Sequence, residues 1–164
     1  MIAGRGDRPI RSQRTERLAH DVPAVWSALA QPDRYPTWWP WLLELDARAL
    51  APGEVWQARI RTPLRYRLRF SIELVDVDPH RTIRAGIDGD IVGTATIETA
   101  PGPAGTELGL LAELRAAAPA LRLLRACAPR IARFGHDRVI DRALEQFATR
   151  ALGPGEAFTG RPGG

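Results

Sequence analysis

The chain contains no lysine: all 23 basic side chains among its 164 residues are arginine. They are spread along the sequence and mixed with 19 acidic residues, for a net charge of +4. Nucleic-acid-binding domains gather positive charge on one face or stripe, so this dispersion argues against nucleic acid as the partner. There is one cysteine, Cys127, which excludes an internal disulfide and a cysteine-rich metal site. It lies in an Ala- and Leu-rich helical stretch and reads as a buried, inert thiol. His20, His80 and His136 are far apart and no His/Cys spacing suits zinc, so neither metal nor cofactor is expected. No apolar run reaches the ~18 residues that a membrane-spanning helix needs. The opening MIAGRGDRPIR is basic with no apolar stretch behind it, which is not the pattern of a signal peptide, and a cytoplasmic location is expected. Also missing are a GxSxG or Cys-His nucleophile context, a phosphate-binding loop and a dinucleotide fingerprint.

What remains is a chain with 45 % hydrophobic residues, long enough for one domain with a proper core. That domain is expected over residues 10–152, with the Gly/Pro-rich segments 1–9 and 153–164 as flexible tails. A strand is expected at 10–19, then a helix over 22–30 capped by Asp21 with Pro23 in its first turn, then a short helical segment at 32–38. Pro36 and Pro40 bracket an aromatic cluster of Tyr35, Trp38, Trp39 and Trp41. Strands follow at 41–47, 54–60, 64–74, 82–87, 91–99 and 106–115. In the 64–74 stretch Leu64, Tyr66, Leu68, Phe70, Ile72 and Leu74 alternate with Arg65, Arg67, Arg69, Ser71 and Glu73. This period of two gives one buried face and one solvated face. Asp88-Gly89 between two apolar runs is a two-residue hairpin signal. From Ala117 the period becomes helical; Pro119 starts one segment, and Pro129 breaks the run and starts a long helix over 129–152.

Grouped strands and segregated helices define the α+β class. A long helix laid across a curved antiparallel sheet leaves an apolar space between the two, a default ligand site. On a helical wheel of about 100° per residue, His136 sits at the centre of the last helix's apolar stripe, between Ala132, Ile140, Ala143 and Phe147. It is either a buried histidine tied to a carbonyl or a carboxylate, or a proton-transfer group facing a ligand. Asp137, its neighbour on the helix, is poorly placed to orient it. Inward Leu18 turns Glu16, Arg14 and Ser12 the same way by alternation. Glu16 then meets a partner such as Arg14 or His136, or stands in solvent on an edge strand. Trp56, Tyr66, Leu68, Phe70 and Leu110 are inward on their strands; each is pocket wall or ordinary core. Trp39 and Trp41 line an entrance or staple the short helices to the sheet.

Three segments together resemble the SRPBCC family, the START and polyketide cyclase/dehydratase superfamily with the helix-grip fold of the birch-pollen allergen. They are HDVPAVWSALAQPDRYPTWWPW at 20–41, GTATIETAPGPAGTELGL at 93–110 and LRLLRACAPRIARFGHDRVIDRALEQFATRAL at 121–152. The last is similar to the closing helix of an uncharacterised branch, His136-Asp137 included. The resemblance implies a sheet of about seven strands gripping the C-terminal helix around a cavity for a lipid, polyketide or other apolar molecule. It also implies a pocket enlarged at Ala95 and Ala112, where bulky aromatics are usual. Family membership does not choose the function. The first expectation is binding of an apolar, lipid- or polyketide-like molecule, with Trp39, Trp41, Trp56, Tyr66, Leu68, Phe70, Ala95, Leu110, Ala112, His136, Ile140 and Phe147 around it. The alternatives are a polyketide cyclase, aromatase or dehydratase using His136, Tyr66 or Glu16, and a non-enzymatic protein-partner or quinone-chaperone module.

Overall fold

The computed structural model describes residues 8–153; the segments 1–7 and 154–164, most of the two expected tails, lie outside them. Seven antiparallel strands form one sheet in the order β1-β7-β6-β5-β4-β3-β2. They are β1 Ile10–Leu18, β2 Leu42–Asp46, β3 Val55–Arg61, β4 Arg67–Asp78, β5 Thr82–Gly89, β6 Ile91–Gly102 and β7 Gly105–Ala116. Strands β2 to β7 form a meander, and β1 returns to the open side of β7. Between β1 and β2 lie α1 Val22–Leu29, a 3-10 turn Pro32–Arg34 and α2 Tyr35–Trp38. After β7 come α3 Pro119–Cys127 and α4 Pro129–Gln146, which ends in a π-helical turn, Phe147–Ala151.

Local chemistry sets most of these boundaries. The Asp21 carboxylate accepts from the Ala24 N–H at 2.9 Å, satisfying one of the free donors at the start of α1. Val25, Trp26, Ala28 and Leu29 of that helix are buried. Pro119 and Pro129 each stand at the first position of a helix, where the missing N–H costs nothing. On β3, Trp56, Ala58 and Ile60 are buried and face the concave side; Leu68 and Leu74 continue that face on β4. A register shift between Leu74 and Asp76 marks an irregularity in β4, the kind of feature that bends a sheet.

The structure departs from the sequence pattern at several places. The strand expected at 64–74 begins at Arg67 and runs to Asp78. Residues 63–65 are a turn, with Arg65 at φ 66°. Thr62 N–H donates to the Tyr66 carbonyl at 3.0 Å, and Arg65 N–H to the Thr62 carbonyl at 2.9 Å. Alternating hydrophobicity thus continues through residues 64–66 of the hairpin loop, where Leu64 lies against Gly135 of α4. Asp88-Gly89 is not the hairpin turn: both residues still pair with β4, Asp88 with Ser71 and Gly89 with Phe70. The chain reverses around Asp90, whose carboxylate accepts the Arg69 N–H at 2.8 Å. Cys127 is exposed, not buried. Helix α3 has no buried residue, because only its narrow Leu121/Leu124 stripe faces inward and Cys127 lies about a quarter-turn round from it. No described helix is long and apolar enough to cross a membrane.

Candidate functional site

Helix α4 is fastened at one end and open beneath the other. Its C-terminal half carries the bulky Leu144 and, beyond it, Phe147, both buried. The Phe147 ring meets Trp38 edge-on with centroids 5.9 Å apart. Trp39 Nε1 donates to the Ala143 carbonyl at 3.0 Å, and Trp41 Nε1 to Gln146 Oε1 at 2.8 Å. Its N-terminal half instead turns Ala132, Gly135 and His136 inward, and these leave space. The result is a cavity of about 220 Å³ between the sheet, α3 and α4. Ile60, Leu68, Phe70, Ile87 and Leu114 form its floor, and Leu121, Leu124, Ala132, His136, Val139 and Ile140 its roof. Trp41, Thr62 and Tyr66 stand at the β3–β4 end, and Ile10, Arg115 and Arg125 at the other.

Half of the twelve residues nominated from the sequence lie in this wall: Trp41, Tyr66, Leu68, Phe70, His136 and Ile140. The other six lie outside it. Trp56 and Phe147 are in the aromatic core, where Trp56 Nε1 donates to the Ala49 carbonyl at 3.1 Å. Trp39 and Leu110 pack on that core from its edge. Ala95 and Ala112 are paired neighbours on β6 and β7, yet they do not widen the cavity. Beside Ala112 on β1 is Ser12, whose hydroxyl donates to Asp137 of α4 at 2.8 Å. The sequence reading missed the contribution of α3; the i, i+3 spacing of Leu121 and Leu124 was the available signal.

Strand β1 and α4 run alongside each other. Ser12 meets Asp137, and Arg14 Nε meets Asp141 at 2.7 Å. Two strand residues rise about 6.6 Å and four helix residues about 6 Å, so the pairs stay in step. Glu16 then falls in a depression with Leu144, Glu145 and Ala148, about two helical turns from His136. It does not join His136, whereas Tyr66 and His136 do share the cavity wall. Burial raises the Tyr66 phenol above its usual pKa, and a hydrogen bond with Thr62 partly offsets this. Among the described residues no three His, Cys, Asp or Glu side chains converge as metal ligands would.

His136 Nε2 is buried and has no hydrogen-bond partner among the described residues. Leaving such an atom unsatisfied costs about 1–3 kcal/mol, so a polar group on a ligand would find a ready partner there. Burial holds the imidazole pKa below its ordinary value; the Asp137 carboxylate opposes this, and Arg133 and Arg14 reinforce it. The folded protein therefore takes up the proton less readily than the unfolded chain. The stability linked to neutral His136 is fully present above the unfolded-state pKa of about 6.5 and is lost as pH falls below it. A His136→Leu variant is expected to show a flatter decline of Tm between about pH 7 and pH 5 than the parent chain. Parallel declines in a thermal-melt series would contradict a desolvated imidazole.

A curved seven-stranded sheet closed over an apolar cavity by a C-terminal helix defines a helix-grip protein. The chain belongs to the polyketide cyclase / dehydrase and lipid transport family, whose model matches residues 9–152. No curated protein matches it at a significant level. Among solved structures, it is similar to the di-domain ARO/CYC BexL from the BE-7585A biosynthetic pathway: TM-score 0.70 at 17 % identity, over 91 % of this chain and 50 % of that one. It is similar to Ara h 8.0201 with TM-score 0.66 at 9 % identity, over 89 % of this chain and 99 % of that one. It is also similar to protein CV1439 from Chromobacterium violaceum, with TM-score 0.62 at 18 % identity, over 88 % of this chain and 98 % of that one. At these identities the likeness establishes the fold alone.

Proposed function

We propose that this protein binds an apolar small molecule, lipid- or polyketide-like, in the cavity beneath the N-terminal half of α4. The observation that carries this reading is the cavity wall, which is built almost wholly from aliphatic and aromatic side chains around one unpartnered imidazole. An empty apolar space forgoes the contacts of a close-packed interior, and an apolar ligand restores them. At about 220 Å³ the space is smaller than the ~300–1,000 Å³ of typical drug-sized sites. That favours a single acyl chain or a small ring system over a two-chain lipid.

The test is to fill the space from the helix side. Ala132→Trp is expected to fold, because its ring enters open volume, and to weaken calorimetric binding of dodecanol by about tenfold or more. A folded variant that kept the parent affinity would sink the reading. Native mass spectrometry of freshly purified protein then identifies any molecule already held.

A second reading, acid–base cyclisation or dehydration of a polyketide-like substrate, is favoured by one observation: a buried, neutral imidazole in the same wall as a phenol. His136 would take the proton from carbon or oxygen of the bound chain and Tyr66 would hold the developing enolate oxygen. Turnover of a poly-β-ketone that survived His136→Leu undiminished would remove this reading.

A further inference from the structure

We propose that the ligand is an amphiphile: its apolar body occupies the cavity and an anionic head, carboxylate or phosphate, occupies an arginine-lined groove beside Trp41. This rests on the reading that the cavity takes an apolar molecule. The groove has a volume of about 380 Å³ and lies between the β3–β4 turn and α4. Trp41, Thr62 and Val139 belong to its wall and to that of the cavity, so the two spaces adjoin. Four arginines line it, Arg61, Arg65, Arg142 and Arg150, and among the described residues no carboxylate does.

The four come from separate parts of the chain. Arg61 ends β3, Arg65 is in the turn at φ 66°, and Arg142 and Arg150 are two helical turns apart on α4 and its π-helical end. Among the described residues none of them is within 4.0 Å of a carboxylate. Elsewhere arginines of the same sheet are paired, Arg59 with Glu44 and Arg84 with Asp76. The nearest acids on α4, Asp141 and Glu145, line the next depression along the helix, which Arg142 and Arg150 also border; Arg14 engages Asp141, and Arg61 and Arg65 border the groove alone. Arg150 donates to the Trp38 carbonyl at 3.2 Å. Gln146 accepts the Trp41 indole N–H through Oε1, which leaves its amide nitrogen as a donor.

Four like charges in one groove repel one another, and an anion relieves that repulsion. Guanidinium forks match the two oxygens of a carboxylate or phosphate. A hydrophobic molecule with no charge makes no use of them. A free anion with no tail makes no use of the adjoining cavity.

The test compares head, tail and both together on the full chain by titration calorimetry at low ionic strength. Laurate is expected to bind at least about tenfold more tightly than dodecanol, and acetate to bind too weakly to measure. In the double variant Arg61→Gln/Arg142→Gln, laurate is expected to fall to the affinity of dodecanol, while dodecanol is unchanged. Both substituted side chains are exposed, so an unchanged Tm is expected and serves as the fold control. Equal binding of laurate and dodecanol by the parent chain, or a laurate preference that survives in the variant, overturns the inference and leaves the apolar-cavity reading standing. Loss of binding to phosphatidylglycerol vesicles in the variant, with laurate unaffected, also overturns it, since the groove would then serve a membrane surface. Failure of both laurate and dodecanol to bind overturns the inference together with the cavity reading beneath it.

Discussion

Replacing Trp38 by alanine is expected to lower stability by about 3–5 kcal/mol, the largest loss of any single change considered. Trp38 is 3 % exposed although it sits at the end of a four-residue helix, α2. Its ring lies edge-on to Phe147 at 5.9 Å and to Trp39 at 6.2 Å, and against Tyr35 at 5.6 Å. Such pairs add about 0.5–1.5 kcal/mol each beyond the area they bury. Its carbonyl receives Arg150, and the neighbouring indoles hold Ala143 and Gln146. The aromatic cluster is therefore what fastens the far end of α4. For a chain of this size the loss corresponds to a fall in Tm of roughly 10 °C. Phe134→Ala is the control: the ring is 59 % exposed, and its loss is expected to stay within about 0.5 kcal/mol. Chemical denaturation of both variants checks the pair. A cost below about 1 kcal/mol for Trp38→Ala would mean that α4 is held by something else.

Gly93→Ala is expected to cost about 3 kcal/mol, the second-largest effect. Gly93 pairs with Ile87 on one side and Leu114 on the other, both in the cavity floor. Its φ is 151°, and a Cβ placed there would stand 1.9 Å from the Glu113 carbonyl oxygen on β7. No rotamer relieves a clash between Cβ and backbone, so strands β6 and β7 must separate locally. Because the strain falls at the cavity floor, dodecanol binding should weaken along with Tm. Gly86→Ala, at a glycine of the adjacent strand with open space around its Cβ position, is expected to be close to neutral. If the two substitutions melted alike, close approach of the strands at Gly93 would not be the cause.

Most of the architecture was legible because its signals are local. Asp21 with Pro23 announced α1, and Pro119 and Pro129 announced the two C-terminal helices. Alternation announced the strands to within a few residues. The failures were also local in kind. Alternation alone cannot tell a strand from a hairpin loop that keeps its hydrophobic spacing, so Leu64 and Tyr66 were placed on β4. Asp88-Gly89 has the composition of a hairpin turn, but its pairing with Ser71 and Phe70 depends on a strand that lies well upstream. A stripe on a wheel marks a helix's inner face without saying how far away the facing surface is, so His136 and Ile140 border the cavity while Phe147, on the same stripe, packs into the aromatic core.

By itself the sequence determined the α+β class, the segment order, the closing helix and the inward direction of His136. These follow from periodicity, capping and proline placement within a few residues of chain. Tertiary structure alone decided where the space lies: under Ala132 and His136, because Leu144, Phe147 and the tryptophans fill the other end. It alone decided that Ala95 and Ala112 stand outside the cavity wall, that Ser12 meets Asp137, and that Glu16 lies about two helical turns from the imidazole. It also brought Arg61, Arg65, Arg142 and Arg150 into one groove that no acid of the described residues lines. A void and a charge cluster are properties of which side chains meet, and residues separated by some 80 positions meet only once the sheet has curved and α4 has docked on it.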